Sequence, residues 1–307
     1  MSGIWAKTIL RSRNAAAPDC VLSTLLVRLP TVLLAEFNTH RAFSRNAAST
    51  RAIPTERLIA QVQTDPFVPM HWGKNQKGMQ AGEECTELVH NGEWSNGYTG
   101  DMVSREKAWL TARDHAVTVA SGFADAGYHK QIAGRLLAPF MWTIVCVSAT
   151  EWTNFLALRD HPDAEPHMQI LAKAIRAELE CDDNIQTLSP GEWHLPFADR
   201  QTAIGARAGG LGTNPRDTLL ARMRVLSVAC CASTSFKTAD GFDMTMERAE
   251  TIHAKLTSGV LHASPFEHVA QADDLKPSLE DWKFSRPEQH RNFVGFRQYR
   301  AMIEDAA

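Results

Sequence analysis

Twelve consecutive residues, His40 to Arg51, read HRAFSRNAASTR and hold three arginines, one histidine, two serines, a threonine and an asparagine, with no acid. This is an anion site in outline. Guanidinium forks pair bidentately with phosphate oxygens, and short hydroxyl and amide side chains with free backbone N–H groups complete such a cradle. A basic run alone is more often the composition of a solvated surface loop. Ser49 has no histidine and acid in a recognisable triad order around it, so it reads as a hydrogen-bond donor to a substrate, not as an attacking group.

Other chemistries find less support. The six cysteines, Cys20, Cys85, Cys146, Cys181, Cys230 and Cys231, form no C-x-x-C pair and read as reduced thiols. Twelve histidines include no H-E-x-x-H or paired Cys/His spacing, so no metal centre is expected. Gly209-Gly210-x-Gly212 lacks a preceding strand pattern and a lysine, which makes a connector the better reading than a phosphate loop.

The elements that must position the basic run follow from periodicity. Cys20–Leu29, CVLSTLLVRL, has strand length, and Pro30 suits a first helical position. Val32, Leu33, Glu36 and Phe37 then recur at helical spacing. Trp109, Ala112, Ala116, Val119 and Phe123 predict one core-facing amphipathic helix, and Met168, Leu171, Ile175 and Leu179 another. The almost wholly apolar stretch from Leu136 to Thr150 belongs in the core.

Leu220, Met223, Leu226 and Cys230 predict a further helix, and Met246, Ala249, Ile252, His253 and Leu256 one more, closed by Gly259. His262–Ala270, HASPFEHVA, reads as a turn at Ser264-Pro265 followed by a half-buried strand. Two stretches carry no clear period, 65–101 and 182–215. The first, with His71, Trp72, Asn75 and Gln76, is long enough to suggest binding, as a closing segment or as a folded surface cap.

The chain has 307 residues, 44% hydrophobic and 22% charged, with 32 Lys+Arg against 35 Asp+Glu and a net charge of −3. These proportions are those of a globular protein with a real core. They argue against a polymer-binding basic face and for a mononucleotide-sized ligand. No stretch reaches the roughly twenty apolar residues of a membrane span. Arg11 and Arg13 interrupt any leader-like apolar segment, so a cytoplasmic protein is expected.

The spacing H-R-x-x-S-x-N-x-x-S-x-R, filled by His40, Arg41, Ser44, Asn46, Ser49 and Arg51, resembles the signature of the flavin-dependent thymidylate synthases. Two further segments resemble the same family. One is Arg135-x-x-x-Pro139 with Trp142-Thr143 and NFLALR from Asn154 to Arg159; the other is His262-x-Ser264-Pro265-Phe266-Glu267-His268, with Ser235-Phe236 upstream. The likeness covers roughly residues 20–58, 130–180 and 220–270 of what it implies is one domain over 1–307. In the family the H-x-[ST]-P-F-E-H segment precedes the H-R-x-x-S run, and here it follows, so a circular permutation is expected.

The resemblance implies a mixed α/β fold, a mostly antiparallel central sheet flanked by helices. It implies reductive methylation of dUMP to dTMP with FAD as cofactor, methylenetetrahydrofolate as carbon donor and NADPH as reductant, in a homotetramer. Flavin contacts fall on His40, Arg41, Asn154, Ser235, His262, Ser264 and Glu267. Nucleotide contacts fall on Ser49, Arg51, Arg135 and Arg159. The catalytic candidates are Arg159, whose guanidinium would favour ionisation of the pyrimidine at N3, and Ser49; alone, Arg159 would read as a helix-terminal cap or a partner of Asp160.

Thr39, Ala47 and Ala52 replace an arginine, a glutamate and a tyrosine of the family pattern, and Glu36 stands where the family tends to have glutamine. A carboxylate at Glu36 could accept from the exocyclic amine of cytosine. The alternatives are therefore methylation or hydroxymethylation of dUMP or dCMP for modified nucleotides, or a flavin- and nucleotide-binding protein without turnover.

Overall fold

The computed structural model describes residues 3–78, 80, 82–92, 100–181, 185–198, 215–233, 244–278 and 281–306. Its centre is a five-stranded sheet in the order β3 (Ser44–Ala47), β6 (Trp142–Ala149), β2 (Ala17–Pro30), β1 (Trp5–Asn14), β7 (Ile185–Leu188), and a separate short hairpin pairs β4 (Val89–His90) with β5 (Met102–Val103). The long hairpin of β1 and β2 is antiparallel, β2 pairs antiparallel with β6, and β6 pairs antiparallel with β3. Only β7, beside β1, runs parallel. The expected mixed α/β fold with a mostly antiparallel sheet is what the chain adopts.

The sheet is covered by α6 (Pro166–Glu180), whose Met168, Leu171 and Ile175 are fully buried against Leu25, Val27 and Leu29 of β2 and Val145 and Val147 of β6. Each such side chain contributes roughly 1.5–3 kcal/mol of burial, so this layer is the main apolar anchor of the sheet. A second cluster joins α2 (Thr55–Thr64), α3 (Arg105–Asp125) and α4 (Lys130–Leu136) through Leu58, Val62, Val117, Ala120 and Leu137. The α3 stripe is rotated from expectation: Trp109 and Ala116 pack inward, but Val119 is 42% exposed and Val117 and Ala120 are the buried pair.

Several elements depart from the sequence reading. Strand β2 runs through Pro30 and the short 3-10 turn begins at Thr31, so the proline closes a strand instead of opening a helix. Ser264–His268 forms a 3-10 turn with Pro265, Phe266 and His268 buried, and the strand, β9, is confined to Ala270–Ala272. The alternation of F-E-H-V mimicked a period of two, whereas Pro265 with its fixed φ starts a helical turn. Stretch 182–215 is not wholly a connector, because it supplies β7 and β8 (Trp193–His194); its glycines at 209, 210 and 212 lie outside the described residues.

The last described quarter adds α7 (Pro215–Ala232), α8 (Met246–Thr257), β10 (Leu275–Pro277), β11 (Trp282–Phe284), β12 (Phe296–Gln298) and α9 (Tyr299–Ala306). Helix α8 stops before Gly259, whose φ of +77° a side chain would disfavour. Gly295, at φ +76°, lies so close to Cys20 that an added Cβ would come within 2.9 Å of the Cys20 Cβ. Asn14 fixes that contact by donating to the carbonyls of Asp273 (2.8 Å) and Gly295 (2.7 Å).

A polar seam crosses the apolar core. Fully buried Ser12, His194, Thr24, Ser148 and His268 form a chain with successive separations of 2.6, 2.8, 2.6 and 2.8 Å. A buried network of this kind specifies register, because slipping any strand would break bonds between groups shielded from water. It ties β1, β2, β6 and β8 to the 264–268 turn. Burial, with the neighbouring His268, holds the His194 pKa down at about 3.

Candidate functional site

The basic run is not a free loop. His40 ends a turn after α1 (Leu34–Phe37), and Phe43 and Ser44 are buried as the chain enters β3 against β6. Ser44 is held by the tail: its Oγ accepts from Gln298 Nε2 at 3.1 Å and lies 3.2 Å from Asn292 Nδ2. Arg45 turns back to cap the carbonyls of Phe37 and His40 at 3.2 and 3.0 Å. That arginine of the basic run, at an unspecified position of the motif, therefore closes the turn.

The remaining motif residues separate into three places. Ser49, Arg51 and Arg135 line one cavity of about 830 Å3, together with Thr31, Thr50, Arg57, Gln61 and Gln131. Its apolar floor includes Trp5, Leu26, Met141, Trp142 and Ile144. Arg28, 6% exposed, lies with its guanidinium 4.2 Å above the Trp142 ring and is paired with Asp65, so its charge is already balanced. By contrast the guanidiniums of Arg51, Arg57 and Arg135 make no hydrogen bond or ion pair among the described residues. Buried Trp5 Nε1, Trp142 Nε1 and Thr31 Oγ1 also lack partners.

The second place holds Glu36, His40 and Arg159, none of which lines that cavity. Helix α5 (Thr153–Arg159) ends on Arg159, whose Nη1 is ion-paired with Glu36 Oε1 and whose Nε donates to His40 Nε2 at 3.0 Å. Accepting that bond puts the hydrogen of neutral His40 on Nδ1. Burial, then the cations Arg159 and Arg45, depress the His40 pKa to about 4. The sequence-level alternative of an Arg159–Asp160 pair is not formed; Asp160 pairs with Arg176 at 2.6 Å.

The third place is where the distant motifs meet. Ser264 Oγ donates to Asn46 Oδ1 at 3.4 Å, and Asn46 Nδ2 donates to the carbonyl of Cys231 at 2.6 Å. Glu267 and Arg41 line a cavity of about 480 Å3 with Arg291, Asn292 and Arg300. The 264–268 turn thus lies on β3 within one chain, 218 positions from its partner in sequence. His262 and Asn154 are exposed. Ser235, and Phe236 beside it, lie outside the described residues.

For an anionic, hydrogen-bonding cofactor such as FAD the donor set fits in part. Arg41, Asn154 and His262 carry exposed side chains with no partner among the described residues, and Ser264 offers a hydroxyl. Glu267 is committed to Arg300 at 2.5 Å. Sequence reasoning missed Arg28, Arg57, Asn292 and Gln298. A lone arginine in an otherwise apolar strand marks Arg28, and the i, i+4 spacing of Arg57 and Gln61 just after the basic run marks one helix face. Nothing local in the sequence marks Asn292 or Gln298.

No protein-family model matches this chain, and no curated protein matches it significantly. Among solved structures it is similar to the UMP/dUMP methylase PolB from Streptomyces cacaoi, bound with 5-Br UMP in one crystal structure and 5-Br dUMP in another. Both share 16% identity at a TM-score of 0.38; each covers 58% of this chain, and 89% and 90% of the PolB chain respectively. Such a likeness is a loose one of chain path and says nothing about chemistry. No described helix is long and apolar enough to cross a membrane.

Proposed function

We propose that this chain is an enzyme that binds a pyrimidine nucleoside monophosphate in the 830 Å3 cavity and transfers a one-carbon unit to its base. The substrate is dUMP and the product dTMP, with FAD, NADPH and methylenetetrahydrofolate as the resemblance implies. One observation carries the reading: three unpaired guanidiniums, Arg51, Arg57 and Arg135, gather at one cavity with an indole floor. Uncompensated like charge is unfavourable until an anion arrives, and an aromatic floor suits a flat base beside a phosphate.

In this reading Arg51, Arg57 and Arg135 neutralise the phosphate, and Ser49 and Thr50 add hydroxyl donors. The unpartnered indole N–H groups of Trp5 and Trp142 suit carbonyl oxygens of the base. Bound FAD would supply the redox chemistry of the carbon transfer. Arg41, Asn154, His262 and Ser264 are the residues here that would hold it. Glu36 lies outside this cavity and is engaged by Arg159, so it is not placed to accept from a cytosine amine, which favours uracil over cytosine.

The test is direct. Purified full chain is incubated with FAD, NADPH, methylenetetrahydrofolate and either dUMP or dCMP, and the nucleotide is weighed by mass spectrometry. A gain of CH2 on dUMP is expected. A gain of CH2O, or reaction of dCMP alone, would replace this reaction with hydroxymethylation or a cytosine substrate. Tight dUMP binding without any product would reduce the protein to a nucleotide-binding module.

A further inference from the structure

We propose that a second cavity, of about 600 Å3, binds a planar heteroaromatic ring bearing amino or ring N–H groups. It lies between the 67–73 and 85–89 segments, α3 and the start of α6. That volume lies in the range of small-molecule sites. Its walls are aromatic: Trp109 meets Phe67 and Trp72 edge-on, at centroid distances of 6.2 and 5.9 Å, and His167 meets Phe67 at 5.3 Å. Val32 and Val89 line it yet are 51% and 42% exposed, an apolar edge that a ring would cover.

The polar inventory selects the ligand. Most polar groups of the lining are already committed. Trp109 Nε1 donates to the Phe67 carbonyl at 2.8 Å, His167 Nε2 accepts from Met70 N at 2.9 Å, and His167 Nδ1 lies 2.7 Å from Glu165. Arg105 is held by the Cys85 carbonyl, Glu84 and Glu106 and lies over the Trp72 ring. Two acceptors remain. Glu87 makes no hydrogen bond or ion pair among the described residues, and buried His71 Nε2 has no partner while its Nδ1 faces Glu84 at 3.5 Å.

A neutral imidazole with Nδ1–H toward Glu84 presents a lone pair at Nε2, and a carboxylate only accepts. Both open acceptors therefore ask for N–H donors, the Trp72 indole N–H asks for an acceptor on the same ligand, and the walls ask for a flat face. An amino-substituted bicyclic ring, pterin or adenine, meets these demands. Phe67 also packs on Trp142, the floor of the arginine cavity, at 5.3 Å, so the two cavities share a wall. The site stands on its own geometry; only its place in a one-carbon reaction rests on the proposed function.

The test is calorimetric titration of the full chain with two uncharged probes, pterin and adenosine, in the parent protein and in Glu87→Gln and Trp72→Leu. At least one probe is expected to bind, with affinity reduced tenfold or more in both variants and dUMP affinity unchanged. Binding of pterin alone identifies a folate-type ring, and binding of adenosine alone the adenine of a dinucleotide. No binding of either, or binding that both variants leave unchanged, overturns the proposal. Glu87 is exposed, so its variant keeps the test valid should Trp72→Leu misfold. Loss of dUMP binding with pterin binding intact would sink the nucleotide reading and leave this one standing.

Discussion

Arg51, Arg57 and Arg135 on one side, and Arg159 on the other, show one residue type in two electrostatic states. The first three crowd a cavity without a partner, and the fourth is closed on Glu36 and His40. An arginine whose charge is already answered acts first as a tie between elements. One whose charge is unanswered is a place for a ligand. The motif contains both kinds, so matching residue types alone does not say which arginine waits for substrate.

The sharpest way to break this contrast is to remove one arginine from each side. Arg51→Ala or Arg135→Ala should weaken dUMP binding by roughly ten- to a hundredfold, since a charge-assisted bond contributes about 1.5–3 kcal/mol. Arg159→Ala should leave that affinity within about threefold, because independent sites do not share energies. Calorimetric Kd values decide, and an equal loss in all three variants would erase the distinction. The cavity's contribution should also fall steeply between low and physiological salt, as exposed charges are screened.

Acid should weaken the fold through the other side. His40 and His194 have folded pKa values of about 4 and about 3, below the ordinary histidine value near 6.5. As pH falls through 6.5 the unfolded chain takes up protons first, so stability that is whole above that value erodes down toward pH 4 and 3. A Tm lower at pH 5 than at pH 7 is expected, with a smaller drop in His40→Gln; a Tm flat across that range would contradict it. The smallest effect belongs to Glu36→Gln. This pair, whose side chains are 21% and 31% exposed, should cost about 1 kcal/mol in denaturant unfolding, with dUMP affinity unchanged.

What could be read from sequence was what is local. The stripes of α6 and α8, the strand within β2 and the stop at Gly259 all follow from periodicity and glycine chemistry. The shared cavity of Ser49, Arg51 and Arg135 was legible as a motif. What stayed hidden is set by partners far along the chain. β3 is polar in sequence and becomes a strand because β6 offers it an edge, with Ser44 opposite Ser148. The 264–268 turn imitates a strand until its packing on β3 is known. Arg57 and Gln61 share one face of α2, and only the cavity gives that face a purpose.

The hold of Gln298 on Ser44 spans 254 positions. As the chain leaves the ribosome, its early strands therefore remain without one of their side supports until the very late segment around residue 298 has been made. Completion of the face around Ser44 is then a closing act of biosynthesis, slow by virtue of that distance, whereas every residue lining the arginine cavity lies between Trp5 and Ile144 and is made long before it.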